Sequence, residues 1–349
     1  VAELVAGAER PLIVIGKGAT WSDAGEAIQK IVDRGIPYIT SPIARGTIPD
    51  DHPSFMNSAR SAALRGADVI VTFGARYNWM FQFGRKSSPD CKIVQIDVEA
   101  EEFYSAATLE LGITADARQA ALQLDRALEG RTLKTTSTSW HADLKAGCEK
   151  NEATLQGPGS SDAVPIDPHR AIADLRDVLP RNAIVTEDGE TSMGIARQMI
   201  STYVSAGRLN ASTTACIGTG VPYAIGAKLA RPESPVVAIL GDYAFGAAAI
   251  AVETAARVDA PVVFVVLNNE GIVGHTIDRV GLLPIITRRR GGADAGFGTG
   301  AGGRRRRGRG RAPRRVDAIR LRAGGELHPG GGEATDEQHG DEGPEESHA

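Results

Sequence analysis

The stretch Pro235-Val-Val-Ala-Ile-Leu-Gly-Asp242, together with Ala260-Pro-Val-Val-Phe-Val-Val-Leu-Asn-Asn-Glu-Gly271, decides the fold. Each half opens with an apolar run of strand length, and a helical stretch separates the two runs. Two such strands joined by a helix lie parallel in one sheet that is buried on both faces. Both runs end in polar residues, so Asp242 and Asn269 are expected at the edge where open α/β sheets bind ligands.

The residue types at this edge suit a metal ion that bridges a diphosphate. Asp242 offers a carboxylate, Asn269 an amide oxygen and Gly271 a backbone carbonyl, which leaves positions around Mg²⁺ for water and phosphate oxygens. The helix that begins near Ala244 points free N–H groups at the same anion. The alternative is a turn Asp and a turn Asn pair in an ordinary doubly wound sheet.

Length and composition indicate about two α/β domains and no membrane segment. The chain has 349 residues, 42% of them hydrophobic, and lacks a run of about 18 apolar residues. Val1-Ala-Glu-Leu4 shows neither a Met nor a signal peptide, so it is expected to be the interior of a longer chain. Cys91, Cys148 and Cys216 are unclustered, which fits a reducing cytoplasm as the location. Cys216 has no paired His in the pattern, so we expect it to be a packing residue.

The predicted domains follow from the order of strands and helices. Residues 1–132 alternate strand and helix and are expected to form a Rossmann-like domain. Residues 133–165 are polar and are expected to be a linker with one helix around residues 139–149. Residues 166–280 resume the doubly wound pattern. Residues 281–349 are Arg- and Gly-rich and then acidic, so they are expected to be disordered or read out of frame; the alternative is a tail that binds nucleic acid by charge.

Polar residues at strand ends of the first domain predict a nucleotide-like ligand. They are Lys17, Arg76, Asn78 and Asp97. An acidic residue at such a position commonly holds a ribose hydroxyl, and Lys or Arg can bind phosphates. Strand-end capping and surface charge are the alternative interpretation. In the second domain, the turn Glu187-Asp-Gly-Glu-Thr191 precedes a helix and is a second candidate anion seat.

The chain resembles thiamine diphosphate enzymes in the order and spacing of its motifs. Gly241-Asp242 is followed 27 positions after the Asp by Asn269, with Gly271 two further, as in the diphosphate motif of that family. Tyr243 stands where most of the family has Gly or Ser. The branch of 2-hydroxyacyl-CoA lyase and oxalyl-CoA decarboxylase is similar in further stretches: Gly16-Lys-Gly-Ala19, Ile48-Pro-Asp50, Gly74-Ala-Arg-Tyr-Asn-Trp79, Val185-Thr-Glu-Asp-Gly-Glu190 and Gly218-Thr-Gly-Val-Pro-Tyr223.

This resemblance implies a set of site residues. The residues implied for the cofactor are Glu190, Thr191, Ile217, Gly218, Gly241, Asp242, Tyr243, Ala244, Asn269, Gly271 and Ile272, with Asp242, Asn269 and Gly271 on the metal. Ile217 occupies the position of the apolar wedge between the two cofactor rings. Lys17, Arg76, Asn78 and Asp97 are implied for the nucleotide end of CoA or of an ADP effector. Glu270 is the first candidate for proton transfer and His275 the second.

The resemblance also implies the reaction, which is cleavage of a 2-hydroxyacyl-CoA into formyl-CoA and an aldehyde or ketone, with thiamine diphosphate and Mg²⁺. The family activates the cofactor with a Glu of an N-terminal pyrimidine-binding domain, usually of a neighbouring subunit, so we expect a homodimer or homotetramer and no turnover from this chain alone. Oxalyl-CoA decarboxylase, which usually has a Tyr where Val273 stands, and an acetolactate synthase-like enzyme are alternatives. A non-catalytic module that binds CoA or nucleic acid is the alternative of another class.

Overall fold

The computed structural model describes residues 1–104, 106–269 and 271 in full and residues 281–286 as backbone. Within these residues the chain forms two sheets of mainly parallel strands, each covered by helices on both faces. The predicted α/β class with two doubly wound domains is therefore confirmed. No helix in the described part of the chain is long and apolar enough to cross a membrane.

The first sheet is parallel throughout. Its strands are β1 (Pro11–Ile15), β2 (Tyr38–Thr40), β3 (Val69–Phe73), β4 (Lys92–Asp97) and β5 (Leu111–Thr114). The helices of this part are α1 (Ala2–Gly7), α2 (Lys17–Trp21), α3 (Gly25–Val32), α4 (Arg60–Gly66), α5 (Ala117–Leu128) and α6 (Trp140–Ala153). The strand order is β2-β1-β3-β4-β5, so the direction of winding reverses between β1 and β3.

Alternate residues of β1 face opposite sides of this sheet. Ile13 and Ile15 belong to the core that includes α3 and α5, whereas Leu12 and Val14 belong to the core that includes α4 and α6. A strand buried on both faces has no solvent-facing side chain, which is why it shows an uninterrupted apolar run rather than an alternating one.

The range 133–165, predicted to be a linker, contains a helix that is part of the first domain. In α6, Trp140, Leu144 and Cys148 recur every four residues and are buried in the same core. The indole Nε1 of Trp140 donates to the carbonyl oxygen of Pro11 at 2.9 Å. The helix predicted around residues 139–149 is therefore present as α6, and its apolar stripe covers one face of the sheet.

The second sheet follows the same winding. Its strands are β6 (Ile184–Asp188), β7 (Arg208–Leu209), β8 (Val236–Gly241), β9 (Val263–Asn268) and β10 (Gly281–Ile286). The accompanying helices are α7 (Gln156–Gly159), α8 (Pro168–Val178), α9 (Glu190–Met199), α10 (Gly220–Ala230), α11 (Asp242–Ala248) and α12 (Ala251–Arg257). Helices α8 and α9 cover one face, and α10 and α12 cover the other. The order is β10-β9-β8-β6-β7, so the winding reverses between β6 and β8.

Strand β10 lies in the range that was predicted to be tail. It pairs antiparallel with β9, with Gly281 opposite Asn268 and Ile286 opposite Val263, whereas the other pairs of this sheet are parallel. The expectation of a disordered tail beginning at residue 281 is therefore corrected for residues 281–286. Their apolar sequence, Gly-Leu-Leu-Pro-Ile-Ile, is suited to an edge position because Pro284 lacks an N–H for a further strand.

Candidate cofactor site

The crevice between β6 and β8 brings together most of the residues predicted for the cofactor. Asp188 at the end of β6 is in register with Leu240 of β8, so the turns that follow the two strands lie side by side. The predicted residues that line the cleft are Glu190, Thr191, Ile217, Gly241, Asp242, Tyr243, Ala244, Asn269 and Gly271. These predicted residues therefore lie together, at the point where the winding of the sheet reverses.

Three oxygen-bearing groups meet at the carboxyl ends of β8 and β9. One terminal atom of the Asn269 carboxamide lies 3.1 Å from Asp242 Oδ1 and 2.9 Å from the carbonyl oxygen of Gly271. If that atom is the amide nitrogen, both contacts are hydrogen bonds. If it is the amide oxygen, three oxygens face one another without a hydrogen between them, an arrangement that a cation stabilises.

This donor set fits Mg²⁺ together with a diphosphate. Asp242 supplies one negative charge, and Asn269 and Gly271 supply neutral oxygens, so a divalent ion held here keeps a net positive charge for phosphate oxygens. The described residues contain no group of three or more His, Cys, Asp or Glu side chains suited to a metal. A ligand set with a single carboxylate agrees with that finding.

The turn after β6 presents the start of a helix to the same cleft. Helix α9 begins at Glu190, and the side chains of Glu190 and Thr191 are exposed there. Gly189 has a φ of +94°, and a Cβ on it would lie 2.9 Å from Ser192 Oγ and 3.1 Å from the amide nitrogen of Gly241. Glycine is therefore needed for the two turns to approach each other, and the start of α9, where N–H groups can bind an anion, lies at the cleft.

Two large apolar side chains face the cleft instead of a core. Ile217 is 45% exposed and Tyr243 is 49% exposed, and both line the cleft. The cleft has a volume of about 70 Å³. Pockets that enclose a small molecule usually measure about 300–1,000 Å³. The described residues therefore line one side of a candidate site and leave these two apolar side chains half exposed.

The segment between β7 and α10 differs from the prediction at two residues. Gly218 does not line the cleft; it has a φ of +90° and supplies the bend after Ile217. Cys216 is exposed, so the expectation that it packs inside is wrong. Its Sγ lies 3.5 Å from Thr214 Oγ1 in a turn that runs along the surface.

A buried ion pair that the sequence did not reveal supports the end of β6. The side chains of Glu187 and Arg208 are fully buried and bonded to each other. Arg208 also donates through Nε to Thr202 Oγ1 at 2.9 Å and through Nη2 to the carbonyl of Ile200 at 2.5 Å. Burial lowers the pKa of Arg208 to about 10, and the charge of Glu187 opposes that shift. No motif marks this pair, because its two members are far apart in the sequence and β7 is very short.

This network continues into the first domain. The backbone N–H of Thr202 donates to Asp50 Oδ2 at 2.7 Å, and Arg45 Nε donates to the same oxygen at 2.8 Å. Arg45 Nη1 reaches back to the carbonyl of Arg197 in α9 at 2.6 Å. Two charged pairs therefore connect β6 and α9, which flank the cofactor cleft, with the loop that follows β2.

The first domain places its four predicted ligand residues at an equivalent crevice. Lys17 starts α2 just after β1, Arg76 and Asn78 follow β3, and Asp97 ends β4. Strands β1, β3 and β4 are neighbours in the sheet. The structure therefore brings these residues to one edge, beside the point where the winding reverses between β1 and β3.

Their contacts agree partly with the capping interpretation. Asn78 Oδ1 accepts from the N–H of Met80 at 3.0 Å, and Asp97 Oδ1 accepts from the N–H two residues further on at 3.1 Å. Arg76 Nε lies 3.2 Å from Glu102 Oε1, and the Arg76 side chain is half exposed. Asn78 and Asp97 thus order their own turns, while Arg76 remains open to solvent.

Three predicted residues lie outside the described part of the chain. They are Glu270 and His275, which were predicted for proton transfer, and Ile272, which was predicted for the cofactor. Their roles stay predictions.

Comparison with known protein families gives two matches in separate parts of the chain. The central domain of thiamine pyrophosphate enzymes matches residues 1–124, and the C-terminal TPP binding domain of the same enzymes matches residues 188–276. The second match contains all the residues that form the cleft between β6 and β8 except Pro168.

Individual relatives are similar over the same region. 2-Hydroxyacyl-CoA lyase 1 of Homo sapiens is 35% identical over 282 residues, which are 78% of this chain and 48% of that protein. Oxalyl-CoA decarboxylase of Escherichia coli (strain K12) is 35% identical over 283 residues, which are 80% of this chain and 50% of that protein. 2-Hydroxyacyl-CoA lyase of Saccharomyces cerevisiae is 32% identical over 281 residues, which are 78% of this chain and 50% of that protein. The chain spans about half the length of the curated relatives it matches.

Proposed function

Because this chain belongs to the thiamine pyrophosphate enzymes, we propose that it forms part of a carbon–carbon lyase. The proposed enzyme uses thiamine diphosphate and Mg²⁺ and cleaves 2-hydroxyacyl-CoA substrates. The observation that carries the proposal is the meeting of the Asp242 carboxylate, the Asn269 carboxamide and the Gly271 carbonyl beside the start of α9. A hard cation and a diphosphate are the ligands that such a combination suits. The names of the two kinds of relative supply the substrate class.

Each group at the cleft has a proposed task. Asp242, Asn269 and the carbonyl of Gly271 would hold Mg²⁺, and the N–H groups at the start of α9 would bind the diphosphate. Ile217 would support the cofactor rings from one side. When bound, thiamine diphosphate supplies the electron sink that allows a C–C bond next to a carbonyl to break. The chain contributes binding, orientation and exclusion of water.

Glu270 is proposed to carry a proton at its carboxyl group. It lies in sequence between Asn269 and Gly271, which both line the cleft. His275 is the second candidate. In an assembly completed by a pyrimidine-binding domain, Glu270→Gln should lower kcat by about 10²–10⁴-fold, the usual contribution of a general acid or base. The affinity for CoA should stay unchanged, and an unaltered kcat would remove Glu270 from the mechanism.

The proposed enzyme needs a second protein surface over the cleft. A volume of about 70 Å³ leaves a bound cofactor open on one side, and large sites of this kind exclude water during reaction. We propose that a pyrimidine-binding domain of the same enzyme, in a homodimer or homotetramer, covers the exposed Ile217 and Tyr243. The chain without such a domain should show no turnover.

We propose that the nucleotide end of the acyl-CoA binds to the first domain. Lys17 and Arg76 offer positive charge for phosphates, and Asn78 and Asp97 offer polar groups for the ribose. All four lie at one edge of the sheet. We propose a cytoplasmic location, because acyl-CoA substrates of this kind are soluble in water.

Oxalyl-CoA decarboxylation is the second candidate, because the Escherichia coli enzyme of that name is as similar to the chain as the human lyase. The two reactions give different products from the same type of assembly. Supplied with a 2-hydroxyacyl-CoA, the proposed lyase releases an aldehyde or ketone and formyl-CoA; supplied with oxalyl-CoA, a decarboxylase releases CO₂. Product analysis with both substrates decides between them. Failure of both, in an assembly that binds the cofactor, would contradict the proposed function.

A further inference from the structure

We propose that Asp188 is the positioning residue that fixes the turn presenting Ile217 to the cofactor cleft, an inference that rests on the proposed function of that cleft. Asp188 is 5% exposed, and its carboxylate accepts three backbone hydrogen bonds. Oδ2 accepts from the N–H of Gly218 at 2.9 Å and of Gly220 at 2.8 Å. Oδ1 accepts from the N–H of Gly189 at 2.9 Å.

These bonds act on the conformation of Ile217 directly. The N–H of Gly218 belongs to the peptide plane that also contains the carbonyl of Ile217, so the bond to Asp188 fixes the backbone torsion that follows the Ile217 side chain. Ile217 is 45% exposed and is not held by a core of its own. Its direction into the cleft therefore depends on the turn that carries it.

Asp188, at the end of β6, also caps the start of helix α10. Thr219 is the residue before α10, but its side chain makes no capping hydrogen bond, and its buried Oγ1 has no partner among the described residues. The Asp188 carboxylate accepts instead from the N–H of Gly220, the first residue of the helix, and negative charge is favourable at this end of a helix. A neutral Asp188 side chain would keep the volume but lose most of this attraction.

The close approach of β6 and the turn leaves room only for glycine. A Cβ on Gly220 would lie 2.7 Å from the Cβ of Asp188, and the φ of +90° at Gly218 is strained for other residues. The same carboxylate bonds Gly189, whose turn forms the opposite side of the cleft. Asp188 therefore sets the spacing between the two turns, with the anion-binding helix start on one side and Ile217 on the other.

A direct role of Asp188 in binding or chemistry does not fit its contacts. Both carboxylate oxygens are engaged by backbone N–H groups, and the side chain is buried behind the turns. It is also absent from the residues that line the cleft. Its influence on the cofactor must pass through the turns.

The test combines Asp188→Asn with Ile217→Ala in a double-mutant cycle, measured as thiamine diphosphate affinity by titration calorimetry at saturating Mg²⁺. Asp188→Asn should weaken the binding of thiamine diphosphate about 10-fold. This is the lower end of the loss seen when a residue that supports the ligands of a metal ion is substituted. In the Ile217→Ala background the same change should weaken binding by less than about 3-fold, because coupled residues are not additive. Equal losses in both backgrounds, or no loss in the first, would overturn the proposal.

A second measurement tests the hydrogen bonds of the Asp188 carboxylate in the absence of the cofactor. Hydrogen exchange of the amides of Gly218 and Gly220 should become faster in Asp188→Asn. The matched control is Asp116→Asn, which removes the charge of a helix-capping Asp in the first domain, and it should leave both exchange and affinity unchanged. If hydrogen exchange of these amides is unchanged in Asp188→Asn, the proposal is overturned, even if the wild-type protein binds no cofactor. If the wild-type protein fails to bind thiamine diphosphate, that result alone counts against the proposed function.

Discussion

The two crevices, between β1 and β3 and between β6 and β8, have the same topology but different interiors. In the first, the turns after the strands are in contact: a Cβ on Gly16 would overlap the carbonyl oxygen of Gly74, and the N–H of Gly18 donates to that oxygen at 3.1 Å. In the second, the turns approach less closely: a Cβ on Gly189 would lie 3.1 Å from the nitrogen of Gly241, and a Cβ on Gly241 would have Ser192 Oγ, at 4.0 Å, as its nearest atom. Sheet topology therefore sets where a ligand binds, and the packing of the turns decides whether a cleft opens there.

The two crevices also differ in the chemical groups that they present to a ligand. The closed first crevice presents long charged side chains around its rim, including Lys17 and the half-exposed Arg76. The open second crevice presents short oxygen groups and backbone N–H groups inside. The first arrangement suits a large ligand that lies across the surface, and the second suits a metal ion and diphosphate that enter between strands.

The largest expected effect comes from the buried charge pair beside the open crevice. Glu187→Ala leaves Arg208 buried without its counter-charge, so the free energy of unfolding should fall by about 3–5 kcal/mol. Thr72→Val in the first sheet removes a buried polar group whose hydrogen bond to Val94 is long, at 3.4 Å, and should cost less than about 1 kcal/mol. Urea denaturation of both variants checks the contrast. Equal losses would mean that the charge pair has no special part in supporting the second crevice.

A matched pair of glycine substitutions tests the packing difference itself. Gly16→Ala forces the turns of the closed crevice apart and should lower the free energy of unfolding by about 1–3 kcal/mol. Gly241→Ala meets open space at a φ of −75° and should change it by less than about 1 kcal/mol. Thermal and urea denaturation report both values. If Gly241→Ala were the more damaging, the second crevice would not be open in solution.

The smallest effect is expected at the rim of the closed crevice. Lys17→Ala should weaken binding of ADP or CoA about 10-fold, through loss of one charge-assisted contact worth about 1.5 kcal/mol. Its affinity for thiamine diphosphate should not change. Lys30→Ala on α3, whose partner is Glu26 in the same helix, is the control. An equal loss in the control would assign the effect to overall charge and not to a site.

The sequence predicted the parts of the fold that have strong periodicity. The apolar runs that begin at Pro235 and Ala260 form β8 (Val236–Gly241) and β9 (Val263–Asn268), which pair in parallel as predicted. Strand β5 was missed because its side chains are largely exposed, and β7 because it has only two residues. Strand β10 was missed because the Arg-rich composition that follows it dominated the interpretation of that region.

The site was predictable where chemistry and spacing coincide. Asp242, Asn269 and Gly271 follow apolar strands at a recognisable distance, and the structure brings them together. The supporting residues Asp188, Glu187 and Arg208 could not be found in this way, because their partners come from other strands and turns. Only three-dimensional contacts reveal that kind of role.

The most direct test of the central claim is a calorimetric titration of the chain with thiamine diphosphate, with and without Mg²⁺, in wild type and Asp242→Ala. Wild type should bind only with Mg²⁺, and loss of a metal ligand should weaken binding by at least about 100-fold. Glu149→Ala, an exposed acidic residue on α6, should bind like wild type. Mg²⁺-independent binding, or equal affinity in wild type and Asp242→Ala, would contradict the assignment of the open crevice as the cofactor site.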